Sequence, residues 1–135
     1  MSKPSPDKTS PFKSRSGFSR LVAATGYSWQ GLKAAVQHEA AFRQELGLAL
    51  ILLPLAFLLA RTIVELILLI GVLVMVLVVE LINSAIEALA DAISLEHNPL
   101  LGRAKDLGSA AVFLSFIFAI LVWATVLVCN LLKLS

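Results

Sequence analysis

Three long apolar segments dominate the pattern of hydrophobic and polar positions along the chain. They run from about residue 46 to 64, from about 65 to 92 and from about 107 to 132. A helix rises about 1.5 Å per residue, so each segment can cross a hydrocarbon core of about 30 Å. The pattern therefore predicts three transmembrane helices, with a polar connection over residues 93–106 between the second and the third.

The first of these spans is the least regular. Pro54 lies inside it and removes a backbone donor, so a kink is expected there. Its uncharged part ends before Arg61, whose long side chain can reach back to the membrane surface. We therefore expect Ile63 and Val64 to complete the same helix.

A shorter, amphipathic segment precedes the spans. Between about residues 18 and 38 the apolar positions project within an arc of about 100° on a helix. The segment is too polar to span a membrane, but it suits a helix in the interface, with Tyr27 and Trp29 at headgroup depth. Residues 1–16, rich in proline, serine and basic residues, predict a disordered basic tail. Residues 17–135 are then expected to form one membrane domain.

The composition agrees with an integral, all-α membrane protein. Of the 135 residues 59% are hydrophobic and only 15% are charged, and the mean hydropathy is +0.89. The net charge of +2 does not indicate a nucleic-acid partner. A single cysteine, Cys129, excludes an internal disulfide.

The basic residues predict the orientation. Only Arg61 and Lys133 fall on one side of the predicted membrane. The others precede the first span or lie in the second connection: Lys3, Lys8, Lys13, Arg15, Arg20, Lys33, Arg43, Arg103 and Lys105. Because cytoplasmic loops carry the excess of Lys and Arg, we expect the N-terminus and the carboxyl end of the second span in the cytosol.

Polar side chains interrupt that end of the second span. Glu80, Asn83, Glu87 and Asp91 fall within roughly 60° of one another on a helix. Ionisable groups at membrane depth are costly and usually face a partner, a cavity or a site. This stripe is the candidate functional site, although Asp91 alone could simply be a solvated helix end.

Phosphoryl transfer is one chemistry that these residue types allow. Carboxylates and an amide suit Mg²⁺, Arg103 and Lys105 suit phosphates, and a further carboxylate can deprotonate an attacking hydroxyl. The common nucleotide-binding loops, G-x-x-x-x-G-K-[ST] and G-x-G-x-x-G, are absent from the sequence. From the residues alone, a small ion or proton transporter that uses the acidic stripe is as good an interpretation as an enzyme.

Four sequence blocks follow one another in order: AATGYSW at 23–29, EAAFRQE at 39–45, VELINSAIEA at 79–88 and GRAKDLGSAA at 102–111. Together they resemble the prokaryotic diacylglycerol kinase family, whose members are small integral-membrane lipid kinases. The resemblance implies phosphorylation of the hydroxyl of diacylglycerol by magnesium-ATP, giving phosphatidic acid. It also implies a homotrimer in the bacterial inner membrane, multi-pass, with active sites shared between neighbouring subunits. Undecaprenol kinase, of the same superfamily, is the alternative lipid kinase; the GSAA at 108–111 and Trp123 look more like the diacylglycerol branch.

The resemblance also assigns roles to residues. Glu80 is expected to take the proton of the lipid hydroxyl, with Asn83 positioning groups beside it, and Glu39 and Glu87 are expected to hold Mg²⁺. Glu45 is expected to support the site from nearby. The implied nucleotide-binding positions are Arg20, Tyr27, Glu39, Glu87, Glu96, Lys105 and Asp106. The implied substrate positions are Arg20, Glu80, Ser109 and Trp123.

Overall fold

The fold is all-helical throughout the residues that the computed structural model describes, 17–94, 96 and 98–132. Four helices follow one another: α1 (Gly17–His38), α2 (Ala40–Leu59), α3 (Ile63–Ile93) and α4 (Pro99–Leu132). By length and composition α2, α3 and α4 can each cross a membrane. The predicted fold class, three membrane-length helices after an N-terminal amphipathic one, is confirmed. The predicted disordered tail at 1–16 lies outside the described residues.

The chain divides into two compact units, the first of which ends at Ala34. Most of α1 belongs to this first unit and presents large apolar side chains at its surface, with Phe18 exposed to 78% and Trp29 to 70%. Exposed aromatic side chains on an amphipathic helix are typical of one that lies on a membrane. The interfacial location of α1 stays a prediction.

The second unit, from Ala35 onward, is organised around α3, which packs mainly against α4 and also against α2. Leu69 is fully buried in a cluster with Ala56 and Val126. Small residues at such contacts let helix backbones approach closely in a membrane. Only 11% to 28% of the residues in the three membrane-length windows are buried, so most of their side chains are not covered by the chain itself.

The chain breaks between α2 and α3 at residues 60–62, so Ile63 and Val64 begin α3 instead of completing the first span. Thr62 is the N-cap of α3, and its hydroxyl oxygen accepts a hydrogen bond from the Glu65 N–H at 3.2 Å. The Glu65 carboxylate in turn accepts from the Arg61 N–H at 2.8 Å. This threonine-to-glutamate spacing is a helix start signal, and it overrides the continuous apolar pattern.

Three side chains tie the helix ends together at this end of the unit; we call Arg61, Glu65 and Asn130 the far-end clasp. Asn130 Nδ2 donates to the Leu59 carbonyl oxygen at 2.8 Å and to Glu65 Oε2 at 3.3 Å. Arg61 Nη2 donates to the Asn130 carbonyl oxygen at 2.5 Å. The last carbonyls of a helix lack partners within the helix. The clasp therefore supplies donors to the carboxyl ends of both α2 and α4.

Asn130→Leu keeps the branched shape of the side chain but removes the donor to α2. Because the Leu59 carbonyl and the Glu65 carboxylate each lose a partner, we expect the free energy of unfolding to fall by about 1–3 kcal/mol. Denaturant unfolding of the purified protein in detergent measures this. Thr125→Val is the matched control on α4, because the Thr125 hydroxyl donates only within its own helix, to the Leu121 carbonyl oxygen. An equal loss in both variants would contradict a special role for Asn130.

The fourth helix begins at Pro99, well before the expected start near residue 107. The Asn98 side-chain oxygen accepts from the backbone N–H groups of Leu100 at 3.0 Å and Leu101 at 3.4 Å. Asparagine at the N-cap followed by proline at the first helical position is a strong start signal. As a result Lys105 and Asp106 lie on a helix and not in a loop, which fixes where they project.

Candidate active site

Four carboxylates interact within the second unit, and we call Glu39, Glu45, Glu80 and Glu87 the acidic cluster. Glu80 is only 4% exposed, in the carboxyl-terminal half of α3. The charges of Glu87 and Glu39 both act on Glu80, and the charge of Glu80 acts on Glu45. Glu39 lies at the N-cap position of α2 and Glu45 lies within that helix. A single chain therefore already brings acids from two helices to one region.

Asn83 connects this cluster to the body of α3. It is 7% exposed, and its Nδ2 donates to Glu87 Oε1 at 3.1 Å. Its Oδ1 is buried and has no hydrogen-bond partner among the described residues. Buried amide oxygens are normally paired, so this atom lacks the partner that such a group usually has. The prediction that Asn83 and Glu87 share one face of α3 is thus confirmed, while the chemical roles of these residues stay predictions.

The predicted phosphate-binding lysine lies where α3 ends and α4 begins. Lys105 Nζ is 2.5 Å from Asp91 Oδ1. Both residues line a polar cavity of about 190 Å³, together with Glu96, Asn98 and Gly102. An exposed ion pair contributes only about 0–1 kcal/mol, so it orients the ammonium group without locking it in place. Asp91 is therefore not simply a solvated helix end, because Lys105 is its partner. The sequence did not indicate this pair, since α4 was predicted to start after Lys105.

Trp123 lines a different cavity of about 490 Å³ between the three membrane-length helices. Glu45 also lines it, among otherwise apolar side chains such as Leu52 and Phe116. Glu45 Oε2 and Trp123 Nε1 are buried, and neither has a hydrogen-bond partner among the described residues. The cavity therefore offers apolar walls with one acceptor and one donor.

The remaining predicted site residues are more dispersed. Asp106 and Ser109 are exposed on α4, and Glu96 is exposed in the connection before it. Arg20 and Tyr27 lie on α1 and belong to the first unit. The second unit by itself contains the acidic cluster with Asn83, and it places Lys105 beside Asp91 where α3 ends and α4 begins.

The carboxylates fit magnesium better than a tightly caged metal. Within the described ranges, no three His, Cys, Asp or Glu side chains converge on a point where they could hold an ion. Mg²⁺ commonly takes one or two protein carboxylates and completes its shell with waters and phosphate oxygens. Glu39 and Glu87 are suitable ligands of this kind.

Comparison with known proteins identifies the family. The sequence profile described as prokaryotic diacylglycerol kinase matches residues 26–127. The chain belongs to the prokaryotic diacylglycerol kinase family. The motif-based resemblance is thereby confirmed, and so is the prediction that this is an enzyme, which favours a lipid kinase over an ion carrier.

Several relatives are also named diacylglycerol kinase. This chain matches each of them over nearly its whole length. Diacylglycerol kinase of Pseudomonas aeruginosa is 50% identical over 118 residues, covering 87% of this chain and 96% of that protein. The Haemophilus influenzae protein is 46% identical over 111 residues, covering 82% and 94%. The Helicobacter pylori protein is 45% identical over 117 residues, covering 87% and 91%. The matched profile includes the acidic cluster, Lys105 and Trp123, whereas Arg20 precedes it.

Proposed function

We propose that this chain transfers the γ-phosphoryl group of ATP to the hydroxyl of diacylglycerol and so makes phosphatidic acid. The observation that carries the proposal is the buried Glu80 carboxylate, held among other acids on a membrane-length helix. A carboxylate in this place can meet a lipid hydroxyl, which a soluble kinase site cannot do without extracting the lipid. The names of the relatives supply the lipid, diacylglycerol.

The apolar cavity between α2, α3 and α4 is suited to part of the lipid substrate. Its walls match acyl chains, and Trp123 Nε1 is a donor for an ester carbonyl oxygen. Glu45 lines the same cavity and interacts electrostatically with Glu80. A lipid bound along this cavity would therefore present its hydroxyl toward the acidic cluster.

The proposed chemical step is direct transfer with Glu80 as general base. Glu80 takes the hydroxyl proton while the lipid oxygen forms a bond to the γ-phosphorus, and the bond from that phosphorus to the ADP oxygen breaks. ADP leaves, and the proton on Glu80 is released to water before the next turnover. Most of the rate then comes from holding the hydroxyl and the phosphate in line.

Magnesium, when bound with the nucleotide, neutralises phosphate charge and polarises the transferred group. Glu39 and Glu87 would hold it, and Asn83 keeps Glu87 in place through the 3.1 Å hydrogen bond. Lys105 would bind the phosphates as a point charge from the mouth of the polar cavity, with Glu96 beside it. Asp106 is a further proposed nucleotide-binding residue and Ser109 a proposed lipid-binding residue, both exposed on α4. The roles that the family resemblance implies for Arg20 and Tyr27 stay predictions.

We further propose a homotrimer in the bacterial inner membrane with the N-terminus in the cytosol. The uneven distribution of lysine and arginine supports the orientation. The small buried share of each membrane-length helix supports an assembly, because three helices alone leave most of their surface uncovered. In this orientation the acidic cluster faces the compartment that contains ATP.

A lipid phosphorylation assay tests the proposed function. The purified protein is mixed with labelled ATP and Mg²⁺ in micelles that contain either diacylglycerol or undecaprenol, and the labelled product, phosphatidic acid or undecaprenyl phosphate, is measured. We expect transfer to diacylglycerol, a strong preference for it, and loss of transfer when EDTA removes the divalent cation. Preference for the polyprenol would overturn the substrate assignment. Ion flux in proteoliposomes without ATP consumption, and no lipid product, would overturn the kinase assignment.

A further inference from the structure

The backbone of α4 comes unusually close to the Asn83 side chain of α3 at Gly108. A Cβ atom added to Gly108 would overlap Asn83 Oδ1 and would lie 3.4 Å from Asn83 Cγ. At every other glycine in the described residues, an added Cβ would meet nothing within 4 Å. Gly108 is therefore the one described glycine whose missing side chain makes room for a neighbour.

The Asn83 carboxamide has a contact at each of its two polar atoms. Asn83 Oδ1 faces Gly108, while Asn83 Nδ2 donates to Glu87 Oε1 at 3.1 Å. Gly108 and Asn83 are both buried, and both line a cavity of about 570 Å³ between α3 and α4, so a displaced carboxamide would have space to turn into. Ile86 is a second neighbour of this point, and its Cδ1 would lie in ordinary contact with the added Cβ, at 3.7 Å. A side chain at position 108 would have to displace the carboxamide, and with it the donor to Glu87.

We propose that Gly108 is a positioning residue for the active site. Its lack of a side chain places the Asn83 carboxamide, and the carboxamide orients the Glu87 carboxylate toward the place of the divalent cation. The contact between Gly108 and Asn83 stands on geometry alone, while its importance for the cation rests on the proposed function.

The contact between Gly108 and Asn83 is tested by comparing the thermal stability of two Gly→Ala variants. Alanine is a better helix former than glycine, so Gly→Ala in an open helical position raises stability. Gly71 is such a position, exposed in α3 and without a neighbour for an added Cβ. We expect Gly71→Ala to raise the thermal midpoint slightly and Gly108→Ala to lower it by roughly 4 °C or more. The midpoints are measured in detergent without divalent cations.

The same two substitutions are then made in an Asn83→Ala background. Removing the carboxamide removes the overlap, so Gly108→Ala is now expected to raise the midpoint, as Gly71→Ala does in both backgrounds. The double variant is therefore expected to fold even if Gly108→Ala alone does not. If Gly108→Ala lowers the midpoint equally with and without the Asn83 carboxamide, or if the double variant does not fold, the proposal is wrong.

The Mg²⁺ dependence of lipid phosphorylation separates positioning from simple loss of folded protein. Disturbing a group that orients a metal ligand typically costs 10- to 100-fold in metal affinity or activity, so we expect Gly108→Ala to raise the half-saturating Mg²⁺ by about tenfold. Gly71→Ala should leave it unchanged. A lower maximal rate with an unchanged half-saturating Mg²⁺ would overturn the positioning role. If the parent protein phosphorylates no lipid, the proposed function fails, and the midpoints still decide the contact.

Discussion

Glu80→Gln is expected to lower the kcat of lipid phosphorylation by roughly 10²- to 10⁴-fold, the usual contribution of a general base. Glutamine has nearly the same shape as glutamate but cannot accept the hydroxyl proton. The substitution also removes a buried charge that other acids repel, so the fold should not be weakened. The KM for ATP should change little, because the nucleotide is proposed to contact Lys105 and the metal ligands instead.

Glu65→Gln is the matched control for this experiment. Glu65 lies on the same helix, but at its opposite end in the far-end clasp. A glutamine oxygen can still accept the hydrogen bond from the Arg61 N–H, so activity should remain close to that of the parent. Near-normal turnover of Glu80→Gln would show that Glu80 is not the base. An equal loss in both variants would point to general damage to α3.

Glu87→Gln is expected to have the second largest effect, through the divalent cation. Replacing one of two proposed carboxylate ligands removes a negative charge from the metal, so half-saturation should require more Mg²⁺ and activity at ordinary Mg²⁺ should fall. We expect a fall of about 10- to 100-fold, with partial recovery at high Mg²⁺. The new side chain can still accept from Asn83 Nδ2, so local packing should persist.

Titrating Mg²⁺ at saturating ATP, and ATP at saturating Mg²⁺, separates the two ligands of the enzyme. A change confined to the KM for ATP would show that Glu87 contacts the nucleotide and not the metal. Glu65→Gln, prepared in parallel, should give the Mg²⁺ curve of the parent protein. Together with Glu80→Gln, these curves would assign different roles to the two acids of one helix face.

The sequence was most informative where the helical period alone decides the geometry. The spacing of Glu80, Asn83 and Glu87 placed them on one face of α3, and the hydrogen bond between Asn83 and Glu87 agrees with this. Likewise, long apolar segments predicted three membrane-length helices without knowledge of any partner.

Helix ends were harder to predict because apolar character continues across them. Ile63 and Val64 are as apolar as the segment before them, so the capping signal of Thr62 and Glu65 decided the break. Similarly, the polar residues after Pro99 concealed a helix start that Asn98 caps. Both capping signals are present in the sequence, but the hydropathy pattern alone places these two helix starts wrongly.

Contacts between helices could not be predicted from the sequence at all. Nothing in the spacing indicates that Gly108 faces Asn83, because the approach depends on how α3 and α4 cross. The pairing of Lys105 with Asp91 depends in addition on the early start of α4.

The two ends of the second unit are held together by different kinds of contact. Buried Asn130 holds α2 and Glu65 together, whereas the opposite end is bridged by the exposed pair of Lys105 and Asp91. A buried side chain with several partners resists displacement more than an exposed ion pair does. The helices are therefore expected to separate more easily beside Lys105 and Asp91 than beside the clasp, and hydrogen exchange of the backbone amides would show this difference.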